Sequence, residues 1–354
     1  MGPETFHPSF SRLLGAALLP ALLLCSTAEA QGTGELLWSD VAPGRAGDSI
    51  NFRPTLLSYP ATRANANGAA VLICPGGGYG YLAHEKEGVN VARKMNTYGI
   101  SAFVVKYRHA PGFKHPVPSD DAKRAMRIIR SRAQALNIDT NRIGIMGFSA
   151  GGHLASTVAA HYDLGIPDGK DSIDRQSCKP AFVILVYPVI TLLDPFTHAG
   201  SRTNLLGNPA PASLVQLLSN EKHIRADSPP AFLMHSRTDG TVRYQNSQMY
   251  YDSCMKAGVA AKLLLYPGGG HGVGLADGSP ETTNDPVLRG WPDSCVKWLD
   301  GLGFLKPAPT ALEAEADAGA LRPPGAGFRH GRLLIRDRRR GDARERDCSG
   351  RVPR

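Results

Sequence analysis

Arg142-Ile143-Gly144-Ile145-Met146-Gly147-Phe148-Ser149-Ala150-Gly151-Gly152-His153 is the stretch whose reading decides the fold. A short apolar run enters a Gly-x-Ser-x-Gly turn, and the residues after it read as a helix. That is the context a nucleophile elbow needs. Gly147 and Gly151 let the strand turn sharply into the helix. Ser149 is left at the tip with its hydroxyl exposed, near a helix N-terminus that favours developing negative charge.

On either side of this stretch, apolar runs alternate with helical spacing. Residues 69–74 form a continuous apolar run, as expected of a strand covered on both faces. Residues 85–98 carry Val89, Ala92 and Met95 at helical spacing and stop at Gly99. A strand is predicted over 101–107, then a Pro-rich loop, then a helix with Ser119 as its N-cap and Ala122, Met126, Ile129 and Ala133 on one face. Further strands are predicted at 142–147, 181–187, 231–235 and 261–266, with helices at 150–161, 244–257 and 291–302. Residues 31–68 leave room for an edge strand or two, and 188–228 read as a long insertion with few strand signals. Strands alternating with helices mean an α/β fold: a mostly parallel central sheet with helices on both faces, connected right-handedly.

The ends of the chain differ from its middle. Arg12 precedes an apolar run over 13–24 that is too short to span a bilayer, and Ala28-Glu29-Ala30 offers a cleavage site before Gln31. The expectation is a cleaved leader over 1–30, export to the periplasm or medium, and no stable membrane anchor. Residues 31–305 are expected to form the catalytic domain. The chain carries a formal net charge of +9, and residues 306–354 hold 12 Lys/Arg against 7 Asp/Glu. This Ala/Pro/Arg-rich tail, which includes Arg336-Asp337-Arg338-Arg339-Arg340, has no apolar periodicity, so disorder is expected rather than a nucleic-acid partner. The cysteines show no C-x-x-C spacing, which argues against a zinc site. An oxidising compartment permits a disulfide among Cys178, Cys254 and Cys295, whereas Cys74 reads as a buried thiol.

An activated serine needs a base, an orienter and donors for an oxyanion. His271 sits in Tyr266-Pro-Gly-Gly-Gly-His-Gly272, a flexible loop directly after a strand, and is the candidate base. Asp239, in a turn just past the strand at 231–235, is the candidate orienter, with Asp194 in the insertion as its rival. The order Ser149, Asp239, His271 is that of α/β-hydrolases, and all three follow strand ends, where catalytic groups of open parallel sheets collect. Pro75-Gly-Gly-Gly78 follows the strand predicted at 69–74, so Gly77 or Gly78 together with Ala150 are the candidate oxyanion donors. A phosphate cradle is the rival reading of that loop, but the terminal Gly-Lys-Ser/Thr of a P-loop is absent. His153 is expected to pack rather than react, and His109 and His115 either line the pocket or face solvent. This chemistry requires no metal and no cofactor.

Several segments occur together in one family: Cys74-Pro-Gly-Gly-Gly-Tyr79 with Glu87-Gly88, Gly147-Phe-Ser-Ala-Gly-Gly-His-Leu154, Tyr187-Pro-Val189, Leu205-Leu-Gly207, Pro229-Pro-Ala-Phe232, Asn246-Ser247 and Gly270-His-Gly272. Over about residues 35–304 the chain resembles the secreted α/β-hydrolases known as acetylxylan esterases or xylanase-associated carbohydrate esterases. These are relatives of the hormone-sensitive-lipase-like and dienelactone-hydrolase-like groups. The resemblance implies an α/β-hydrolase fold and cofactor-free cleavage of short-acyl esters on a small-molecule or oligosaccharide substrate. It places the catalytic roles on Ser149, Asp239 and His271 and the oxyanion loop on 76–79. Thr238 and Arg243 depart from the family pattern, where an acid and a proline are usual. The rival readings are a serine peptidase of the prolyl-oligopeptidase type and a non-catalytic binding protein on a hydrolase scaffold.

Overall fold

The computed structural model describes residues 33–39, 42–44 and 53–305, apart from 170 and 280, together with Gly2. The leader expected over 1–30 (Gly2 aside) and the basic tail at 306–354 lie outside them. Among the described residues eight strands make one sheet: β1 (Thr33–Leu36), β2 (Thr55–Tyr59), β3 (Ala70–Cys74), β4 (Ser101–Lys106), β5 (Ile143–Phe148), β6 (Val183–Val186), β7 (Ala231–Ser236) and β8 (Ala261–Tyr266). Their order is β1-β2-β4-β3-β5-β6-β7-β8. β1 and β2 fall in 31–68, where an edge strand or two is anticipated; β1 is at the edge, and the pairings of β1 with β2 and β2 with β4 are antiparallel. From β4 to β8 every pairing is parallel. This is the α/β-hydrolase fold.

The apolar runs are continuous because both faces of the sheet are covered. Along β3, Ala70, Leu72 and Cys74 point into one core, with Met126 of α2 (Val117–Ser131), Leu154 of α3 (Ser149–Ala160) and Tyr250 of α6 (Gln245–Lys256). Val71 and Ile73 point into the other, with Val91 and Met95 of α1 (Asn90–Thr97) and Trp291 and Leu299 of α7 (Trp291–Gly301). Each fully buried Ile, Leu or Phe contributes about 1.5–3 kcal/mol. The helices are therefore held by their apolar faces rather than by intrinsic propensity.

Three expectations need correction or refinement. Ser119 is not an N-cap: α2 starts at Val117, with Pro118 in its first turn, where a missing N–H costs nothing, and the Ser119 hydroxyl donates back to the Pro116 carbonyl at 2.7 Å. No disulfide joins the candidate cysteines, since Cys74, Cys178, Cys254 and Cys295 are all free and buried. Cys254 belongs to one core and Cys295 to the other, so the sheet separates them. The insertion at 188–228 contains, among its described residues, α4 (Ala199–Leu206), α5 (Ala212–Leu217) and a 3₁₀ turn at Asn220–His223.

β5 lies at the middle of the parallel sheet, between β3 and β6, and all twelve residues of α3 behind it are buried. A Cβ built on Gly151 would sit 2.1 Å from the Cys74 carbonyl oxygen and 2.4 Å from that of Pro75. Both obstacles are backbone, so neither can swing aside. Gly151→Ala is expected to destabilise the protein by about 3 kcal/mol, measured as a lowered urea midpoint; an unchanged midpoint would show that α3 can shift off β3.

Candidate active site

Phe148 ends β5 in extended conformation (φ −114°, ψ 134°), and Ser149 follows at φ +52°. A left-handed backbone costs a residue with a Cβ about 1–2 kcal/mol. It persists here because Gly147 and Gly151 touch: a Cβ on Gly147 would lie 2.0 Å from the Gly151 carbonyl oxygen. The serine hydroxyl is thereby lifted off the carboxyl end of the sheet.

His271 arrives from the loop after β8. Its Nε2 lies 2.8 Å from Ser149 Oγ and its Nδ1 lies 2.7 Å from Asp239 Oδ2. The loop is pinned at Gly269, whose carbonyl accepts from Ser236 Oγ at 2.7 Å and from Thr238 Oγ1 at 2.6 Å. Thr238 thus holds the histidine loop. Asp239 is buried, and its Oδ1 accepts the amides of Thr241 and Val242, each at 2.9 Å. Burial alone would raise its carboxyl pKa. Hydrogen bonds from His235, His271 and the Val242 amide outweigh burial and hold it below the usual carboxylate range. An ionised carboxylate only accepts, so His271 carries its proton on Nδ1. Its bare Nε2 faces the serine hydroxyl, which is the tautomer a general base requires.

The loop after β3 closes the opposite side. Gly76 lies so close to the elbow that a Cβ there would meet Ser149 Cβ at 2.9 Å. The Gly76 amide donates to Glu87 Oε2 at 2.8 Å, the Gly77 carbonyl accepts from Gly80 at 2.9 Å and Tyr81 at 3.1 Å, and the Gly78 carbonyl accepts from Asn204 Nδ2 at 2.9 Å. Among the described residues the amides of Gly77 and Gly78 donate to no protein acceptor. The Ala150 amide lies in the first turn of α3, where no intrahelical carbonyl can reach it. Gly77 and Gly78 have φ of +124° and +64°, which glycine adopts freely.

The remaining candidates sit elsewhere. Asp194 is largely exposed and pairs with Arg202. His153 is buried under the elbow, with Nε2 2.8 Å from the Leu218 carbonyl and Nδ1 2.9 Å from the Tyr79 hydroxyl; burial lowers its pKa to about 4, so it stays neutral and acts as a strut. His109 and His115 are half-buried on the 108–116 loop, His109 with Nδ1 2.7 Å from the Ala110 carbonyl. Among the described residues no group of three or more His, Cys, Asp or Glu side chains is arranged to hold a metal ion.

The BD-FAE family model matches residues 57–253. The chain belongs to the BD-FAE family. A solved relative, the acetyl ester-xyloside bifunctional hydrolase from Caldicellulosiruptor lactoaceticus, is 40% identical with a TM-score of 0.71, over 78% of this chain and 98% of the other. The acetylxylan esterase of Xylanibacter ruminicola is 35% identical over 215 residues, which is 60% of this chain and 42% of that protein. The endo-1,4-beta-xylanase B of Butyrivibrio fibrisolvens is 33% identical over 247 residues, 69% of this chain and 37% of that one. The match thus spans about two fifths of the length of those two relatives. The BD-FAE family is one of carboxylic ester hydrolases.

In this BD-FAE chain four site neighbours take roles that the sequence reading does not assign. His235 ends β7 with Nε2 2.9 Å from the Val242 carbonyl and 3.3 Å from Asp239 Oδ2, so a second imidazole supports the carboxylate. Buried Glu87 accepts from Gly76 through one oxygen and from the Tyr187 hydroxyl, at 3.0 Å, through the other. The same hydroxyl accepts the Gly274 amide at 2.8 Å, and the Tyr187 ring meets His271 edge-on at 5.0 Å. Glu87 therefore clamps the loop after β3 to the histidine loop. His198 caps α4 and faces Gly78, its Cε1 3.9 Å from where a Cβ would be.

Glu87→Ala strands the Gly76 amide and the Tyr187 hydroxyl; kcat for 4-nitrophenyl acetate is expected to fall about tenfold or more with KM within about twofold. A change confined to KM would remove Glu87 from the support of the oxyanion loop. Asp239 supplies the pH dependence. Its folded pKa lies below the value of about 3.9 for an unfolded aspartate, so its contribution to stability is present above that value and is lost as pH falls through and below it. Urea unfolding of wild type and Asp239→Asn should therefore show a stability gap at pH 7 that narrows by pH 3; a gap independent of pH would contradict the depressed carboxyl.

Proposed function

We propose that the chain is an exported serine esterase that hydrolyses O-acetyl and other short-acyl esters on carbohydrate, such as acetylated xylan. One observation carries the chemistry: Ser149 Oγ, His271 and Asp239 Oδ2 form a continuous hydrogen-bonded line of 2.8 and 2.7 Å at the carboxyl edge of the sheet. Ser149 attacks the ester carbonyl while His271 Nε2 takes its proton. The Gly77 or Gly78 amide, with that of Ala150, receives the oxyanion, each such donor being worth about 3 kcal/mol in the transition state. The protonated His271 then hands its proton to the departing alcohol, leaving an acyl-serine. Water, deprotonated by the same nitrogen, releases the acid.

The substrate class is supported by the relatives: one is an acetylxylan esterase and another an acetyl ester-xyloside hydrolase. Export is supported by the charged and apolar leader pattern at 12–30. Acetate release from acetylated xylo-oligosaccharides, beside 4-nitrophenyl acetate, is expected for wild type and should drop about 10⁴-fold or more in Ser149→Ala. Cleavage of the nitrophenyl ester alone would keep the esterase and discard the carbohydrate; inactivity on both would overturn the reading.

A further inference from the structure

Beside the oxyanion loop lies a cavity of about 400 Å³ walled by Gly80, Ala110, Pro111, Lys114, Thr203 and Asn204, a volume within the range of small-molecule sites. Three of these residues are bonded to the loop that carries Gly77 and Gly78. The Gly80 amide donates to the Gly77 carbonyl at 2.9 Å, the Ala110 amide to the Tyr79 carbonyl at 2.9 Å, and Asn204 Nδ2 to the Gly78 carbonyl at 2.9 Å. The walls are also fixed from behind. Arg108, at the root of the 108–116 loop, is locked to buried Asp121 through Nη2–Oδ1 at 2.7 Å and its own amide at 2.8 Å, while His198 caps α4. A cavity with walls this constrained is preorganised, which limits the entropy lost on binding.

Its surface is two-sided. Ala110 and Pro111 offer C–H groups, while Thr203 offers a hydroxyl and Lys114 an exposed ammonium that pairs with no carboxylate among the described residues. Next to Gly80, Tyr81 is 64% exposed, and it is the one aromatic among the exposed large hydrophobic side chains of the described residues. An acetyl group has a methyl and one carbonyl acceptor, too few groups to engage an aromatic ring, a hydroxyl and an ammonium together. A pyranose ring has an apolar C–H face that suits an aromatic ring and a hydroxyl edge that suits an ammonium and a hydroxyl. We infer that this cavity is the subsite for the sugar that bears the ester, with Tyr81 against its C–H face and Lys114 and Thr203 bonding its hydroxyls. The inference rests on the carbohydrate-esterase reading above.

The test compares acetylated xylo-oligosaccharide with 4-nitrophenyl acetate, whose aryl alcohol lacks the hydroxyl edge, for wild type, Tyr81→Ala, Tyr81→Phe, Lys114→Met and Thr203→Val. The three outer side chains are exposed, so folding should survive. Tyr81→Ala and Lys114→Met are expected to raise KM for the sugar ester about 5- to 10-fold, and Thr203→Val about 2-fold or more, while kcat/KM for the nitrophenyl ester stays within about twofold. Tyr81→Phe, which keeps the ring, should behave as wild type. Wild type that deacetylates the sugar with all variants unchanged overturns the subsite alone. Parallel losses on both substrates also overturn it, assigning these residues to the common machinery. Wild type that cleaves only the nitrophenyl ester overturns the carbohydrate reading and the subsite with it.

Discussion

The structure depends on one contact: α3 packs against β3 and β5 at backbone distance. Gly151 touches the carbonyls of Cys74 and Pro75, Gly147 touches Gly151, and a Cβ on Gly152 would lie 2.6 Å from Pro188 Cβ. Two glycines in the first four residues of α3 weaken the helix start intrinsically. Here they allow the start to be driven into the sheet, where tertiary packing over-determines the left-handed Ser149. The strain is therefore held by the whole central sheet rather than by the turn itself. That is why a catalytic group can be placed to within tenths of an ångström on a segment of such poor propensity.

Around that fixed serine the other groups arrive on loops, and each loop is tied by bonds to buried atoms. Two imidazoles converge on one aspartate. His235 has an acceptor-only carbonyl, Val242, on Nε2, which places its proton on that nitrogen, and its Nδ1 lies 2.8 Å from Ser247 Oγ. His271 has the opposite tautomer because the carboxylate faces its Nδ1. The difference between a structural and a reactive histidine is thus set by what each nitrogen meets, not by sequence context. His153 shows the same logic. It is four residues past the nucleophile, yet Leu218 and Tyr79 occupy both of its nitrogens, leaving no lone pair for the serine.

This explains what the sequence could and could not disclose. The parallel strands were legible because burial on both faces demands continuous apolar runs such as 70–74 and 231–234. Ser149, Asp239 and His271 were legible because glycines and strand ends flag the places where a chain presents side chains at a sheet edge. Ser119 misled because serine is a frequent cap, whereas Pro118 tolerates the first turn and moved the boundary upstream. Glu87 and Tyr187 act through partners 11 to 100 residues away, and no local spacing records such a partnership. The free cysteines make the same point: their pairing is decided by which face of the sheet each helix covers.

The insertion at 188–228 adds a constraint that the hydrolase core alone would not impose. A scaffold of this kind could vary its pocket freely if the substrate-facing segments were independent of the catalytic ones. Here they are not. Asn204 of α4 holds the Gly78 carbonyl, and His198 at the start of the same helix stands over Gly78 with Nδ1 bonded to Ser201. A Cβ on Gly80 would meet Asn204 Nδ2 at 3.0 Å, so helix and loop are already at contact distance. Any shift of α4 that reshapes the pocket must then move the peptide groups next to Ser149. On the proposed reading, substrate choice and stabilisation of the oxyanion would be coupled through one side-chain amide, that of Asn204.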